Sequence, residues 1–409
     1  MQHTRMAANR QSALGSDSSP AARLVERCLT EATAAGASDL HLEPEEKGLR
    51  LRARIDGSLC EMASPPPALV GPFLARLRLL AGADIAERRL PQEGRFRVSL
   101  GDSGIVDVRC AFLPVTRGEK ITLRLLARKT TPRSLAALGL PSDCEVRVKT
   151  HLSRPDGLIV VAGPTGSGKT TTLYACMEEA QRPDRSMVSV EDPVEAELAA
   201  VAQVPVHEEI GRGFAPVLRA LLRHDPDVIM IGEIRDTESA AIACRAALTG
   251  HLVLSSLHAT DCAEVAPRLR EMGVPNYLVH ATLRLVVAQR LLRTPCTDCA
   301  IAAPPSREEL RWLVRFDIQA PNSVLRSVGC PQCNGTGYLG RTPAFAVVEP
   351  SSNTGNSCLL AAALDKVVAR QTTMAEALAR CPVPPEPIVE MCDEPMADDG
   401  PDLATSDCG

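Results

Sequence analysis

Residues 157–180 read GLIVVAGPTGSGKTTTLYACMEEA: an apolar run, a glycine-rich turn and a segment with helical spacing. Strand, G-x-x-x-x-G-K-[ST] turn and helix, in that order, make a phosphate-binding loop. Gly163, Gly166 and Gly168 let the backbone approach phosphates closely and adopt positive φ, so that successive N–H groups and the helix N-terminus face negative charge. The expected ATP-binding segment is Gly163, Pro164, Thr165, Gly166, Ser167, Gly168, Lys169, Thr170 and Thr171. Lys169 is placed to reach the β- and γ-phosphates, and the Thr170 hydroxyl to ligate Mg²⁺, a hard cation that takes oxygen ligands. A P-loop alone says only that a nucleotide binds.

Two further apolar runs end in carboxylates. SMVSVEDPVE places Glu191, Asp192 and Glu195 at a strand end, and PDVIMIGEIRD places Glu233 just past Ile231. In a parallel sheet both sets lie at the edge that carries the P-loop, where ligands bind in open α/β folds. Glu233 is the candidate that orients and deprotonates the attacking water. Glu191 is expected to hold a water of the magnesium shell. Asp227 precedes its strand and is too far away to bind the metal, and Gly232 occupies the place where many P-loop proteins carry a metal-holding aspartate. TGHLVLSSLHATD adds a strand flanked by His251 and His258. His258 is a candidate γ-phosphate sensor or a satisfied polar core residue; for His251 the structural reading leads.

Working outward, residues 1–20 read as a loose polar tail, 21–130 as a small α+β domain, and 131–150 as a linker. The alternation of helical and strand patterns over 151–293 marks an ATPase core with a mostly parallel sheet. Residues 294–350 form a tetracysteine module returning to the core, and 351–409 a helical or disordered tail, acidic at its end. In the module, CTDC and CPQC pair Cys296 with Cys299 and Cys330 with Cys333 across 30 intervening residues. Such knuckles suit one structural Zn²⁺, since four thiolates leave no open position for water.

Composition narrows the class. A net charge of −5 provides no global basic field for nucleic acid, and 2% aromatic content leaves few stacking platforms for single strands. No apolar run approaches the ~18–20 residues that cross a bilayer, and the N-terminal stretch lacks a signal-peptide core. The expected location is the cytoplasm. The 15 cysteines, an odd count over a long chain, argue against a disulfide framework.

The ordered set GPTGSGKTTTLYA, VSVEDPVE, DPDVIMIGEIRD, AALTGHLVLSSLHATD and AQRLLR resembles the type II secretion and type IV pilus assembly ATPase family. The earlier SDLHLEP, LRLRARIDG, DIAERRLPQEGRF and RGEKITLRLL follow that family's order, so the resemblance covers roughly residues 37–341. The implied fold class is α/β: a RecA-like P-loop ATPase domain preceded by a small α+β, PAS-like domain and followed by a small zinc module. The resemblance implies a homo-hexamer with ATP sites between the two domains, completed by arginines. Arg54, Arg109 and Arg124 are the candidates from the first domain, Arg223 and Arg235 from the second. It implies ATP, Mg²⁺ and structural Zn²⁺ as bound species. It also implies peripheral action at the cytoplasmic face of the inner membrane, where pilin-like subunits are driven through an integral membrane platform protein. Here SDLHLEP begins at Ser38, whereas the family's longer members carry an additional amino-terminal docking domain. His224 stands where the family's RQDPD has glutamine. A nucleic-acid-dependent RecA-like motor and a catalytically idle nucleotide-binding ring component are the alternative readings; the first predicts stimulation by DNA or RNA, and intact Lys169, Thr170 and Glu233 argue against the second.

Overall fold

The computed structural model of the chain describes residues 19–101, 104–127, 134–350 and 359–383. The tail expected at 1–20 lies outside the described residues up to 18, and the acidic end of the chain lies outside them from 384.

The alternating runs after residue 37 build an antiparallel sheet. Helix α1 (Pro20–Ala34) starts at Ser19, whose side chain accepts from the Ala22 N–H. It buries Leu24, Val25, Cys28, Leu29 and Ala32, one stripe at helical spacing. Strands β1 (Asp39–Glu45), β2 (Gly48–Ile55) and β3 (Ser58–Glu61), helix α2 (Pro67–Ala81), then β4 (Gln92–Ser99), β5 (Ile105–Val115) and β6 (Gly118–Ala127) complete the domain. The strand order is β3-β2-β1-β6-β5-β4. In β2, Leu49, Leu51 and Ala53 enter the core while Arg50, Arg52 and Arg54 take the opposite face, the period of 2 that a half-buried strand requires. The register sets Arg95, Arg109, Arg124, Asp39 and Arg54 side by side across five strands, so these residues share one face.

The segment read as a linker does more than connect. Leu135, Leu138 and Leu140 and helix α3 (Ser142–Leu152), through Cys144, Val148 and Leu152, pack against one face of the second sheet. That sheet holds β7 (Gly157–Ala162), β8 (Met187–Glu191), β9 (Ala202–Pro205), β10 (Val228–Ile231), β11 (Leu252–Leu257), β12 (Leu283–Pro295) and β15 (Tyr338–Val348), in the order β15-β12-β7-β11-β10-β8-β9. Every adjacent pair is parallel except β12 with β15. All six residues of β7 are buried, as a strand covered on both faces must be. Helix α4 (Lys169–Ala180) lies on the face with α3; α5 (Phe214–Leu221), α6 (Thr237–Leu248), α7 (Val265–Glu271) and α8 (Asn276–Thr282) cover the other. This is the α/β architecture expected of a RecA-like P-loop domain.

Between β12 and β15 the chain makes β13 (Ile301–Ala303), α9 (Arg307–Arg315) and β14 (Val324–Arg326), flanked by the two cysteine knuckles. Helices α10 (Leu359–Val368) and α11 (Met374–Arg380) then close over the core, burying Leu359, Leu360, Ala363, Leu364, Val367, Met374 and Ala377. The two domains touch at the β2–β3 turn: the Asp56 carboxylate accepts from Gly340 N and Arg341 Nε, both at 2.9 Å, and Arg293 Nη1 donates to Ser58 Oγ at 3.0 Å.

Candidate active site

The P-loop runs from the end of β7 into α4. Gly166 and Gly168 have φ of +77° and +90°, backbone that side-chain-bearing residues rarely adopt. Gly163 is required for space: a Cβ there would lie 2.4 Å from Ser167 Oγ and 2.8 Å from the Gln289 carbonyl oxygen. Lys169 Nζ donates to the carbonyls of Gly163 and Pro164 at 2.9 and 3.1 Å. Burial lowers the pKa of this ammonium, Glu233 opposes that shift, and Arg290 and Arg235 add to it. Ser167 Oγ is buried and has no hydrogen-bond partner among the described residues. The N–H groups in the first turn of α4 have no partner within the helix. Together these are spare donors and a cation around one turn, the chemistry that suits a polyphosphate.

Glu233 follows β10 and Asp192 follows β8, so parallel pairing brings both to the end of the sheet that carries the P-loop. Glu233 is held by Arg235, whose Nε donates to Oε2 at 2.5 Å; His258 Nε2 lies 2.5 Å from Oε1, an oxygen that accepts no hydrogen bond among the described residues. Its side chain is 12% exposed. Arg235 also reaches Asp192 at 3.5 Å, and the carboxylates raise its pKa, the Glu233 hydrogen bond most of all. Glu233, Arg235 and His258 thus form one contact group near Lys169. At Gly232 a side chain would be tight: a Cβ would lie 3.3 Å from the Val190 carbonyl oxygen and 3.4 Å from Glu191 Cα, so the neighbouring strand end would have to shift slightly.

Glu191 is buried at the end of β8 with both oxygens engaged. Tyr174 donates to Oε2, and Ser189 Oγ and Gln203 Nε2 donate to Oε1 at 2.5 and 3.0 Å. The Thr170 hydroxyl instead finds Glu195, four residues on. Glu195 is reachable by solvent but crowded by protein atoms, which raises its carboxyl pKa; Thr170 and the Arg109 guanidinium counteract that shift. Hydroxyl and carboxylate oxygens of this kind are the ligands Mg²⁺ takes.

The remaining candidates are spread out. The Arg109 guanidinium acts on Glu195 only through space, lowering its carboxyl pKa slightly against burial. Arg124 Nε pairs with Asp39 at 3.0 Å and Arg54 Nη1 donates to the Gly57 carbonyl, both within the first domain. Arg223 is exposed and donates to the Arg219 carbonyl. Asp227 accepts from Ser186 N at the start of β10, and His251 Nδ1 lies 3.0 Å from the Ala246 carbonyl oxygen at the start of β11; both sit at the end of the sheet away from the P-loop.

Gln289 lies in the AQRLLR motif, which by itself assigns it no role. Its Nε2 donates to the Ser167 carbonyl at 2.6 Å and its Oε1 accepts from Thr172 Oγ1 at 2.6 Å, so β12 grips the P-loop from beneath. The available signal was a glutamine inside the apolar run LVVAQRLL, since buried polar side chains are there to satisfy something.

Cys296, Cys299, Cys330 and Cys333 converge, with all four sulfurs within 4.8 Å of one another. Neighbouring Sγ atoms are separated by 3.9 Å (Cys296–Cys330), 3.8 Å (Cys299–Cys333) and 3.7 Å (Cys330–Cys333). A tetrahedral ion with Zn–S bonds of about 2.3 Å sets its ligand sulfurs roughly 3.8 Å apart, so the cluster fits zinc. The N–H groups of Cys330 and Gly337 donate to Cys333 Sγ, and that of Gly329 to Cys299 Sγ. At Cys333 burial pushes the thiol up, but these donors outweigh it and bring the group to about 6. Backbone donors of this type favour thiolates.

The model of the family "Type II/IV secretion system protein" matches residues 15–380. Over 326 residues the chain is 42% identical to the type II secretion system ATPase E of Vibrio cholerae, covering 80% of this chain and 64% of that protein. Over 340 residues it is 41% identical to the type IV pilus assembly ATPase PilB of Myxococcus xanthus, covering 82% and 60%. The chain therefore spans less than two thirds of these relatives. Among solved structures, the ATPase DotB of Legionella pneumophila superposes with a TM-score of 0.61 at 20% identity, covering 87% of this chain and 95% of that one, a likeness of fold. Among the described residues, no helix is long and apolar enough to cross a membrane. The match along most of the chain, together with the P-loop, the Glu233 group and the four-cysteine cluster, establishes that the chain belongs to the type II/IV secretion system protein family.

Proposed function

We propose that the chain hydrolyses ATP with Mg²⁺ and uses the resulting domain motion to power type II secretion or type IV pilus assembly. The observation that carries this reading is the placement of Glu233, held by Arg235 and close to His258, at the sheet end from which the P-loop emerges. The loop and α4 N–H groups bind the β- and γ-phosphates, and Lys169 exchanges the Gly163 and Pro164 carbonyls for phosphate oxygens. Glu233 accepts a proton from water as the water oxygen bonds to the γ-phosphorus and the bond to the ADP oxygen breaks. Arg235 fixes the carboxylate through its hydrogen bond to Oε2, and His258, close to the other oxygen, restricts its rotation away from that water. Thr170 and Glu195 are the residues that would hold Mg²⁺, which supplies charge neutralisation at the phosphates; Glu191 supports this region through Tyr174. Arg109 is the first-domain arginine best placed to join the site, and Arg54, Arg124 and Arg223 are available to a neighbouring copy. Cys296, Cys299, Cys330 and Cys333 would hold a structural zinc, which would tie the β12–β15 hairpin to its insertion.

Homo-hexamerisation and coupling to an inner-membrane platform protein at the cytoplasmic face are part of the same proposal, and family membership supports them. The test is phosphate release across size-exclusion fractions, with Lys169→Ala as the blank and with DNA added or withheld. Activity in a ring-sized fraction and indifferent to DNA supports the reading. Activity that requires DNA moves the chain to a nucleic-acid motor, and a rate equal to that of Lys169→Ala rejects hydrolysis.

A further inference from the structure

Arg290 is 7% exposed on β12, one residue beyond Gln289. Its guanidinium spends three donors on three main-chain carbonyls: Nη2 to Thr260 at 2.6 Å, Nη1 to Gln289 at 3.1 Å and Nε to Arg380 at 3.2 Å. Among the described residues no carboxylate lies within ion-pair distance of it. Asp261 and Glu264 act on it through space but do not contact it, so burying this charge is costly unless its donors are satisfied, and an aliphatic side chain of similar volume would serve packing alone better. The three carbonyls identify what such a charge can do. The Gln289 carbonyl is the one that lies against Gly163 of the P-loop. Thr260 lies two residues after His258, whose imidazole meets Glu233. Arg380 ends α11. One planar fork therefore fixes the loop carrying His258 relative to the strand that grips the P-loop, and only a side chain with donors on several sides can span these acceptors.

We infer that Arg290 is a positioning residue for hydrolysis: it does not touch nucleotide, but holds the Thr260 carbonyl, and with it the His258 ring, in register with Glu233 and the P-loop. This inference rests on the ATP-hydrolysis reading. Lysine at 290 keeps the charge but cannot bridge three carbonyls. In the full chain, R290K is expected to lose about 10-fold or more in kcat while KM and the affinity for a fluorescent ATP analogue stay within about 3-fold, the pattern of lost alignment rather than lost binding. In an H258A background, R290K should cost less than about 2-fold further, because both changes remove one contact.

A second readout does not depend on turnover. Carbethoxylation of His258 by diethyl pyrocarbonate, resolved by mass spectrometry with exposed His224 as the internal standard, should be faster in R290K. If R290K cannot be isolated folded, R290Q carries the same two measurements. An active wild type with unchanged kcat and unchanged His258 modification in the variant overturns the inference, as do losses that multiply with H258A. A wild type no faster than Lys169→Ala removes the ATPase reading instead, while the modification rate still reports on whether Arg290 sets the His258 loop.

Discussion

Replacing Gln289 by alanine tests whether β12 holds the P-loop in shape. The change removes the donor to the Ser167 carbonyl and the acceptor for Thr172, two bonds of 2.6 Å in a side chain that is almost fully buried. Each partner left unsatisfied in the interior costs about 1–3 kcal/mol. The Thr172 hydroxyl can turn to the carbonyl one helical turn back, recovering part of its loss, so a net cost of about 2–4 kcal/mol is expected. For a domain of this size class that is a melting shift of roughly 4–16 °C. The Ser167 carbonyl also loses its tether, so the loop samples other conformations and nucleotide affinity falls, about tenfold for each 1.4 kcal/mol of disfavoured loop geometry. Gln289→Glu keeps an acceptor for Thr172, loses the donor and brings negative charge to the loop, so its nucleotide affinity should fall below that of the alanine variant. The assay is thermal melting with and without ATP and Mg²⁺, followed by titration calorimetry. An alanine variant that melts within about 1 °C of wild type and binds ATP equally well would refute the clamp.

Other consequences concern the zinc cluster, a buried carboxylate and the turn at Gly232. Metal analysis should find one zinc per chain in the purified protein; Cys330→Ser should remove it and lower the melting temperature, and an unaltered zinc content would contradict the four-thiolate site. Glu376 is 0% exposed and accepts from Arg293 and Arg380; burial pushes its carboxyl up, but the Arg293 hydrogen bonds outweigh burial and hold it below the ordinary carboxylate range. A lowered folded pKa contributes stability above the unfolded value of about 4.3, and that contribution is lost as pH falls through the lowered folded value. Glu376→Gln should therefore cost about 3–5 kcal/mol in urea unfolding at pH 7 and progressively less in acid; a pH-independent difference would contradict the assignment. Gly232→Asp, which places an acid where many P-loop proteins have one, should force the ends of β8 and β10 apart at a cost of about 1–3 kcal/mol and slow turnover. Faster hydrolysis would show that the turn has room.

What the sequence made legible was local. The P-loop is a strand, a turn and a helix within 24 residues; Gly166 and Gly168 take the positive φ expected of them, while Gly163 is needed for space instead. The cysteine knuckles were equally readable, because each pair carries its own geometry; the N–H donors from Gly329 and Gly337 were not, since they depend on how the module folds back. At the end of β8 the sequence reading assigns the magnesium-shell water to Glu191; the contacts from Tyr174, Ser189 and Gln203 that engage both its oxygens, and the Thr170–Glu195 interaction, depend on how α4, β8 and β9 pack together and were not legible. Gln289 and Arg290 act on segments far away in the chain, which no periodicity encodes. The same is true of the arginines. Their alternation in β2 was visible, but the row formed by Arg95, Arg109, Arg124 and Arg54 exists only once strand register is known. The segment around α3 read as a linker because its turn residues hide the leucines that bury it.

The central claim is that Glu233 takes the proton of the attacking water at a P-loop that binds ATP independently of it. The direct measurement is single-turnover hydrolysis and ATP-analogue binding by Glu233→Gln beside wild type, at equal Mg²⁺. Affinity within about 3-fold of wild type is expected, with a hydrolysis rate lower by about 10²–10⁴-fold, the contribution of a positioned general base. A Glu233→Gln protein that turns over at the wild-type rate would contradict it.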